Sequence, residues 1–203
     1  MVKSVEGRVM FNDLVKQVDN RTRIISISSV ECNTGFKSDL NRIGAFCKEK
    51  GILFFVDAIQ SLGVLPMDVK KDHIDFLSAD GHKWMLSVEG LGGFYISNQV
   101  LDKIHPVTMG WGNVINAENF MHYDFTLKED ATKFEEGTPN TMSIHAFGAA
   151  LELLLEVGIK NIEKRVMSLG DCIINELNQR NIGIYSSTKL TERSGNISFT
   201  LKK

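Results

Sequence analysis

Runs of apolar residues along the first hundred positions predict a sheet of buried strands separated by helices. Apolar residues recur at helical spacing in 11–19 and again from Ser38 to Gly51, which predicts two helices. The second helix is expected to end at Gly51, because glycine commonly ends helices. Continuous apolar runs predict strands at 23–29, 52–56, 75–79 and 92–96. The strand at 52–56 is too uniformly apolar for a half-exposed antiparallel edge. The order strand, helix, strand therefore favours an α/β fold with a mainly parallel sheet covered by helices on both faces.

The pattern changes after position 101. Residues 101–133 lack a regular period, which predicts a system of surface loops. The elements predicted beyond them are a turn at 134–140, a helix from about 141 to 158, a second helix at 159–181, and strands at 182–186 and 196–201. We therefore expect two parts: a partial large domain at 1–157, and at 158–203 a long helix with the start of a small α+β domain.

Composition narrows the class of protein. The chain has 203 residues and is 43% hydrophobic, so it can bury a sizeable core. Its 23 Lys and Arg residues nearly balance 25 Asp and Glu residues, and without a basic run we expect no binding to nucleic acid or to an anionic membrane. The three cysteines, Cys32, Cys47 and Cys172, show no C-x-x-C spacing, which is typical of reduced thiols. With no signal peptide or spanning apolar stretch evident, we predict a cytoplasmic location.

Two charged residues follow neighbouring predicted strands. Asp57 comes directly after an apolar strand, where a carboxylate is costly unless it meets a cation. Lys83, flanked by His82 and Trp84, follows the next strand. Ligands of parallel sheets bind outside the carboxyl ends of the strands, where both residues are expected. An acid and an amine placed this way suggest a cofactor with a cationic ring nitrogen and an aldehyde, namely pyridoxal phosphate.

Four segments make this interpretation specific. They read VDAIQSLGVLPMDV, SADGHKW, EGLGG and FEEGTPNTMSIHAFGAALELLLEVG. In this order they closely resemble the class V aminotransferase family, which includes cysteine desulfurase-like enzymes of fold type I, and the resemblance runs from Arg8 to Leu201. It implies that 1–157 is part of the domain that binds pyridoxal phosphate. It also implies that Lys83 is the catalytic Schiff-base lysine, which moves a proton between the substrate Cα and the cofactor.

The resemblance implies further cofactor-binding residues. Asp57 would hold a proton on the pyridinium nitrogen, Gln60 would bond the phenolic oxygen, and His82 would reach the phosphate. Thr138 matches a position that contacts the phosphate of the neighbouring subunit, which implies a homodimer with a shared active site. Cys32 stands where relatives carry a hydroxyl near the ring, although a thiol is a poor donor. No metal is expected. Structural alternatives remain open: an N-cap for Asp57, a surface role for Gln60, and local roles for His82 and Thr138.

Three functions remain open. The first, which we expect, is a pyridoxal-phosphate-dependent aminotransferase that forms a Schiff base with Lys83 and moves an amino group between an amino acid and an oxo acid. The second is a cysteine desulfurase or selenocysteine lyase-like enzyme, although none of the cysteines matches the nucleophile that desulfurases carry on a C-terminal loop. The third is a truncated, non-catalytic remnant, because family members are longer and would supply more of the phosphate cradle before Arg8 and a carboxylate-binding arginine after Lys203. We also expect unpaired strand edges and exposed apolar surface.

Overall fold

A computed structural model describes residues 1–122 and 124–201 of the chain, in which helix and strand alternate up to position 57 and two further strands then follow before the next helix. The strands are β1 Ile24–Ser28, β2 Leu53–Asp57, β3 Phe76–Asp80, β4 Gly92–Ile96, β5 Gly183–Ile184 and β6 Phe199–Thr200. The helices are α1 Phe11–Lys16, α2 Leu40–Lys50, α3 Asn98–Leu101, α4 Thr141–Val157 and α5 Ile159–Gln179, with a 3-10 helix at Ala131–Phe134.

The main sheet has the strand order β1-β2-β3-β4. The first three strands are parallel, and β4 runs antiparallel to β3. In this register Asp57 lies opposite Ser28 on one side and Ser78 on the other. The carboxyl ends of the three parallel strands therefore meet at one edge, as the sequence predicts. The prediction of an α/β fold with a mainly parallel sheet is confirmed.

Local signals in the sequence set the helix boundaries. The Asp39 side chain accepts a hydrogen bond from the Arg42 amide at 3.1 Å and caps α2, which ends at Gly51 with a φ of 64°. The Asn140 side chain caps α4 in the same way, and Gly158 separates α4 from α5. In the described part of the chain, no single helix meets the length and hydropathy criteria for crossing a membrane. Helices α4 and α5 meet them only as a pair, which is bent by 79°.

The core forms chiefly on one face of the sheet. Phe54 and Val56 of β2 are 0% exposed and pack with side chains of α2 and α4. The opposite face is covered less evenly, by a smaller cluster that contains Phe76 and residues around α3. On that face Ile24 and Phe94 remain 49% and 47% exposed. The face that carries the side chain of Asp57 is therefore the more accessible one.

Two predicted regions differ in detail from the structure. The loop system at 101–133 takes in the end of α3 and most of the 3-10 helix, and position 123 lies outside the described residues. The C-terminal strands pair antiparallel but are only two residues long each. Beyond the paired residues, the Tyr185 and Ser186 amides both donate to the Ser198 carbonyl, and the Ser186 hydroxyl accepts from the Ser198 amide at 2.7 Å. The division at 157 and 158 stays a prediction, and its last two residues are outside the described range.

Replacing Gly63 by alanine should destabilise the fold more than the same change at Gly51. Both glycines have positive φ, 100° and 64°, so each substitution strains the backbone. A Cβ on Gly63 would also lie 2.4 Å from the Trp84 carbonyl oxygen, whereas nothing lies within 4 Å of one on Gly51. We expect losses of roughly 3 kcal/mol for Gly63→Ala and about 1 kcal/mol for Gly51→Ala in the free energy of unfolding, measured by urea denaturation. Equal losses of unfolding free energy in the two variants would contradict the close approach between Gly63 and the Trp84 carbonyl oxygen.

Candidate functional site

Asp57 ends β2, and hydrogen bonds fix both its main chain and its side chain. Its carbonyl oxygen accepts from the Ser29 amide at 2.8 Å and from the Ser29 hydroxyl at 3.1 Å. Its carboxylate Oδ1 accepts from the Ile59 amide at 2.9 Å. Among the described residues, Oδ2 has no hydrogen-bond partner. The carboxylate is thus oriented by its own turn, and one oxygen is available to a cation. This turn also supports the alternative local role for Asp57, and the two roles are compatible.

A buried pair of hydroxyls stabilises the turn that contains Asp57. Ser29 and Ser61 are each 2% exposed, and their Oγ atoms lie 2.6 Å apart. Ser61 Oγ also lies 3.2 Å from the Ala58 carbonyl oxygen. Each hydroxyl has one proton, so when Ser29 Oγ donates to the Asp57 carbonyl, Ser61 Oγ is the donor between the two hydroxyls. Both buried hydroxyls are thus hydrogen-bonded, and they hold the end of β1 against the turn after β2. Sequence reasoning missed this pair because single serines 32 positions apart carry no local signal.

Lys83 lies in a turn that follows β3, at the same edge of the sheet as Asp57. The turn is closed by hydrogen bonds from the Leu86 amide to the Lys83 carbonyl at 3.1 Å and from the Ser87 amide to the Gly81 carbonyl at 2.9 Å. The Lys83 side chain is partly buried, whereas the neighbouring His82 is exposed. The sequence prediction that Asp57 and Lys83 share the carboxyl edge of neighbouring parallel strands is confirmed.

Trp84 anchors the Lys83 turn to the rest of the chain. Its ring packs against a small cluster formed by Val30, Val64 and Leu65 together with Val166 of α5. A Cβ on Gly195 would lie 2.8 Å from the ring, so the C-terminal segment also touches it. The apolar ring thereby fixes the backbone on which Lys83 is carried.

Gln60 contacts a residue far away in the sequence. Its side-chain oxygen Oε1 accepts a hydrogen bond from Asn196 Nδ2 at 3.3 Å. Asn196 belongs to a C-terminal segment, 186–198, that lies against the loop after β1. Sequence reasoning singled out Gln60 but missed Asn196, because a contact across 136 positions leaves no periodic or local signal.

The tip of β1 adds a second carboxyl to this edge. Burial, and then repulsion from Asp57, raises the pKa of the Glu31 carboxyl. Glu31 and Asp57 line one cavity of about 540 Å³ that runs along β1. Cys32 follows Glu31 and is exposed, and its thiol lies 3.5 Å from the Asn33 side-chain oxygen. Sequence analysis named Cys32 but gave Glu31 no role, since only the fold brings the two carboxyls to adjacent strand ends.

Thr138 stands apart from the other predicted site residues. It is exposed in the turn before α4. Within 1–122 and 124–201 no side-chain hydrogen bond connects Thr138 to Cys32, Asp57, Gln60, His82 or Lys83. The same turn approaches the loop after Lys83, because Asn140 Nδ2 lies 4.0 Å from where a Cβ on Gly90 would be. The predicted contact with a neighbouring subunit stays a prediction.

Comparison with known proteins identifies the family. The model of the family described as aminotransferase class-V matches residues 1–203. Over 97% of the chain, the sequence is 30% identical to a probable cysteine desulfurase of Pyrococcus abyssi and 33% identical to one of Borreliella burgdorferi. The structure superposes on the apo cysteine desulfurase of Thermococcus onnurineus with a TM-score of 0.88. The superposition covers 98% of this chain, and the two sequences are 26% identical. The chain belongs to the class V aminotransferase family.

The chain spans about half the length of the curated relatives it matches, 48% and 46% for the two sequences and 49% for the solved structure. Family membership supports the predicted cofactor, pyridoxal phosphate. The residues present fit this group: Asp57 offers an oriented carboxylate with an unpartnered oxygen, and Lys83 offers a partly buried amine at the same edge. Such an acid and such an amine are the partners that pyridoxal phosphate requires.

Replacing Glu31 by glutamine should stabilise the protein at neutral pH. Because the folded state raises the pKa of Glu31, the ionised carboxylate costs stability once the pH exceeds that raised value. The difference in unfolding free energy between Glu31→Gln and wild type should therefore be positive at pH 7. It should shrink as the pH falls through the raised pKa and vanish below the usual glutamate range. Urea denaturation at several pH values measures this difference in unfolding free energy. The control is Glu152→Gln, at an exposed position of α4.

Proposed function

We propose that this chain carries pyridoxal-phosphate-binding residues of an enzyme that breaks the bond between Cβ and sulfur of cysteine. The observation that supports it most directly is the placement of Asp57 and Lys83 after the neighbouring parallel strands β2 and β3. Cysteine desulfurases among the relatives favour sulfur chemistry over the aminotransferase reaction that the sequence first suggested. Transfer of an amino group to an oxo acid remains the second candidate, supported by the family as a whole.

When bound, pyridoxal phosphate supplies an aldehyde and a ring that accepts electrons. Lys83 would hold the cofactor covalently, and its freed amine would then take the proton from the substrate Cα. Asp57 would keep a proton on the ring nitrogen, because its carboxylate is already oriented by the Ile59 amide and faces no competing cation among the described residues. In this proposal Asp57 and Lys83 carry the proton chemistry at Cα.

Four further residues would hold the cofactor. Gln60 would donate to the phenolic oxygen and His82 would reach the phosphate. Cys32 would lie near the ring if the resemblance carries over, and its weak donor would contribute little there. Thr138 would contact the phosphate of the neighbouring subunit, so we propose a homodimer that shares its active sites. Its exposure agrees with a role toward another chain. A cytoplasmic location is part of the same proposal, and the three cysteines are free thiols.

A desulfurase needs a thiol that accepts the sulfur, and the three cysteines of this chain are not equally suited to this role. Cys47 is buried in α2, and burial, with the Asp75 carboxylate as a second cause, raises the pKa of its thiol to about 11. Since the thiolate is the nucleophile, Cys47 is unsuited to accept sulfur. Cys32 and Cys172 are exposed, but Cys172 lies on α5 rather than on a loop. An added thiol is therefore included as the acceptor in the substrate test below.

Addition of pyridoxal phosphate to the purified protein should give a visible absorbance band that borohydride fixes onto Lys83. Lys83→Ala should lose both the band and the mass adduct, because the amine forms the covalent link. Asp57→Asn should keep the link and weaken cofactor affinity by about tenfold or more, since a hydrogen bond to a charged group contributes about 1.5–3 kcal/mol. Lys48→Ala, on the surface of α2, is the matched control. A band of equal strength in Lys83→Ala would refute the assignment.

The cofactor-loaded protein should release sulfide and alanine in equal amounts from cysteine in the presence of dithiothreitol. The Cβ–S bond breaks, one thiol of dithiothreitol accepts the sulfur as a persulfide, and the second thiol then releases it as sulfide while dithiothreitol is oxidised to its cyclic disulfide. With a 2-oxo acid added to accept the amino group, an oxo acid formed from cysteine without free ammonia would favour the aminotransferase reaction instead. Pyruvate with ammonia would favour a lyase. A folded, cofactor-loaded protein that gives none of these products would support the non-catalytic remnant.

A further inference from the structure

We infer that Asn196 is a positioning residue that orients the Gln60 amide so that its NH₂ group faces the cofactor. This inference rests on the proposed function, in which Gln60 meets the phenolic oxygen of pyridoxal phosphate. It concerns which end of the Gln60 amide is presented there. The two ends have opposite electrostatic effects on that oxygen, so the choice matters for binding.

The hydrogen bond between the two amides determines the orientation. Asn196 Nδ2 donates to Gln60 Oε1 at 3.3 Å, and both side chains are partly buried. An amide group has one acceptor oxygen and one donor nitrogen, so a glutamine whose oxygen is engaged presents its NH₂ group to other partners. Gln60 therefore has its nitrogen available as a donor.

Asn196 can impose this orientation because its own position is fixed. Its backbone amide donates to Ser194 Oγ at 3.2 Å, and Ser194 Oγ donates to the Gly35 carbonyl at 2.8 Å. The Asn196 backbone also presses on the loop after β1, since a Cβ on Gly35 would lie 2.2 Å from the Asn196 carbonyl oxygen. Only glycine fits there, at a φ of 67°. The asparagine is thus held against the core by contacts that do not involve Gln60.

Three more hydrogen bonds attach the same segment to the same loop. The Lys37 amide donates to the Glu192 carbonyl at 2.7 Å. Ser186 Oγ donates to the Thr34 carbonyl, and Ser198 Oγ donates to the Asn33 carbonyl, both at 2.5 Å. Bonds on both sides of Asn196 hold its backbone in place, so the Asn196 amide starts from a fixed Cα when it donates to Gln60.

The turn that carries Gln60 is equally constrained. Asp57 Oδ1 binds the Ile59 amide, and the next residue, Ser61, is buried and bonded to Ser29. A fixed donor therefore meets a fixed turn. At a phenolic oxygen that carries negative charge, a donor NH₂ is attractive, whereas the carbonyl end of the amide would be repulsive. Asn196 thereby determines whether Gln60 attracts or repels the phenolic oxygen.

The test compares Asn196→Asp and Asn196→Ala with wild type. A carboxylate can only accept, so Asn196→Asp should reverse Gln60 and turn its oxygen toward the ligand. Asn196→Ala should release the amide. The readout is the ratio of affinities for pyridoxal phosphate and for its 3-deoxy analogue, which lacks the phenolic oxygen. We expect the preference for pyridoxal phosphate to fall roughly fivefold in Asn196→Ala, and further in Asn196→Asp, as befits one hydrogen bond lost or reversed. Asn178→Asp, the same change on exposed α5, should keep the wild-type ratio.

A merely structural role would weaken binding of both ligands alike and leave this ratio unchanged, which would overturn the inference. A wild-type protein that binds both ligands equally would overturn it as well. The second readout needs no cofactor: the side-chain ¹⁵N resonance of Gln60, assigned through Gln60→Ala, should shift in Asn196→Asp and stay in place in Asn178→Asp. An unshifted resonance overturns the inference whatever the cofactor does. Absence of the Lys83 adduct in wild type, with the resonance shift present, would instead count against the proposed function alone.

Discussion

Hydrogen bonding of β2 on both of its sides is the constraint on which the site depends. The strand pairs in parallel with β1 and with β3, and its inward side chains Phe54 and Val56 are fully buried. A strand held in this way cannot shift by one residue without moving its apolar side chains to the opposite face. Asp57, the last residue of the strand, therefore has a fixed height and a fixed direction.

The C-terminal segment 186–198 fixes the site from the other side. It forms hydrogen bonds to the loop after β1, reaches Gln60 through Asn196, and touches the Trp84 ring at Gly195. Each such bond contributes on the order of 1 kcal/mol to stability, and several acting together hold two regions of the chain that are about 160 positions apart, as the Ser194 contact with Gly35 illustrates. The segment that follows α5 is therefore part of the framework of the proposed cofactor site.

Family membership and chemistry rest on different parts of the molecule. The parallel sheet belongs to the fold that the chain shares with its family, whereas proton chemistry at Cα rests on the roles proposed for Asp57 and Lys83. In the proposed desulfurase reaction the fate of the sulfur would depend on an acceptor thiol, for which buried Cys47 is unsuited. The more open face of the sheet, where Ile24 and Phe94 are exposed, is unusual because parallel sheets normally bury both faces. The structure thus agrees with the sequence-based expectation of exposed apolar surface.

The sequence by itself determined the main strands, a mainly parallel sheet and the placement of Asp57 and Lys83 after neighbouring strands, because uniform apolar runs and the residues that directly follow them are local features. It also gave helix ends at Gly51 and Gly158, where glycine provides conformations that other residues avoid. Only the tertiary structure decided that Ser29 hydrogen-bonds Ser61, that Glu31 and Asp57 line one cavity and that Asn196 hydrogen-bonds Gln60. These contacts join positions that are distant in the chain, and a single sequence carries no periodicity that reports such pairings. Secondary structure and candidate residues follow from local sequence, whereas the contacts between those residues depend on how the sheet packs against the C-terminal segment.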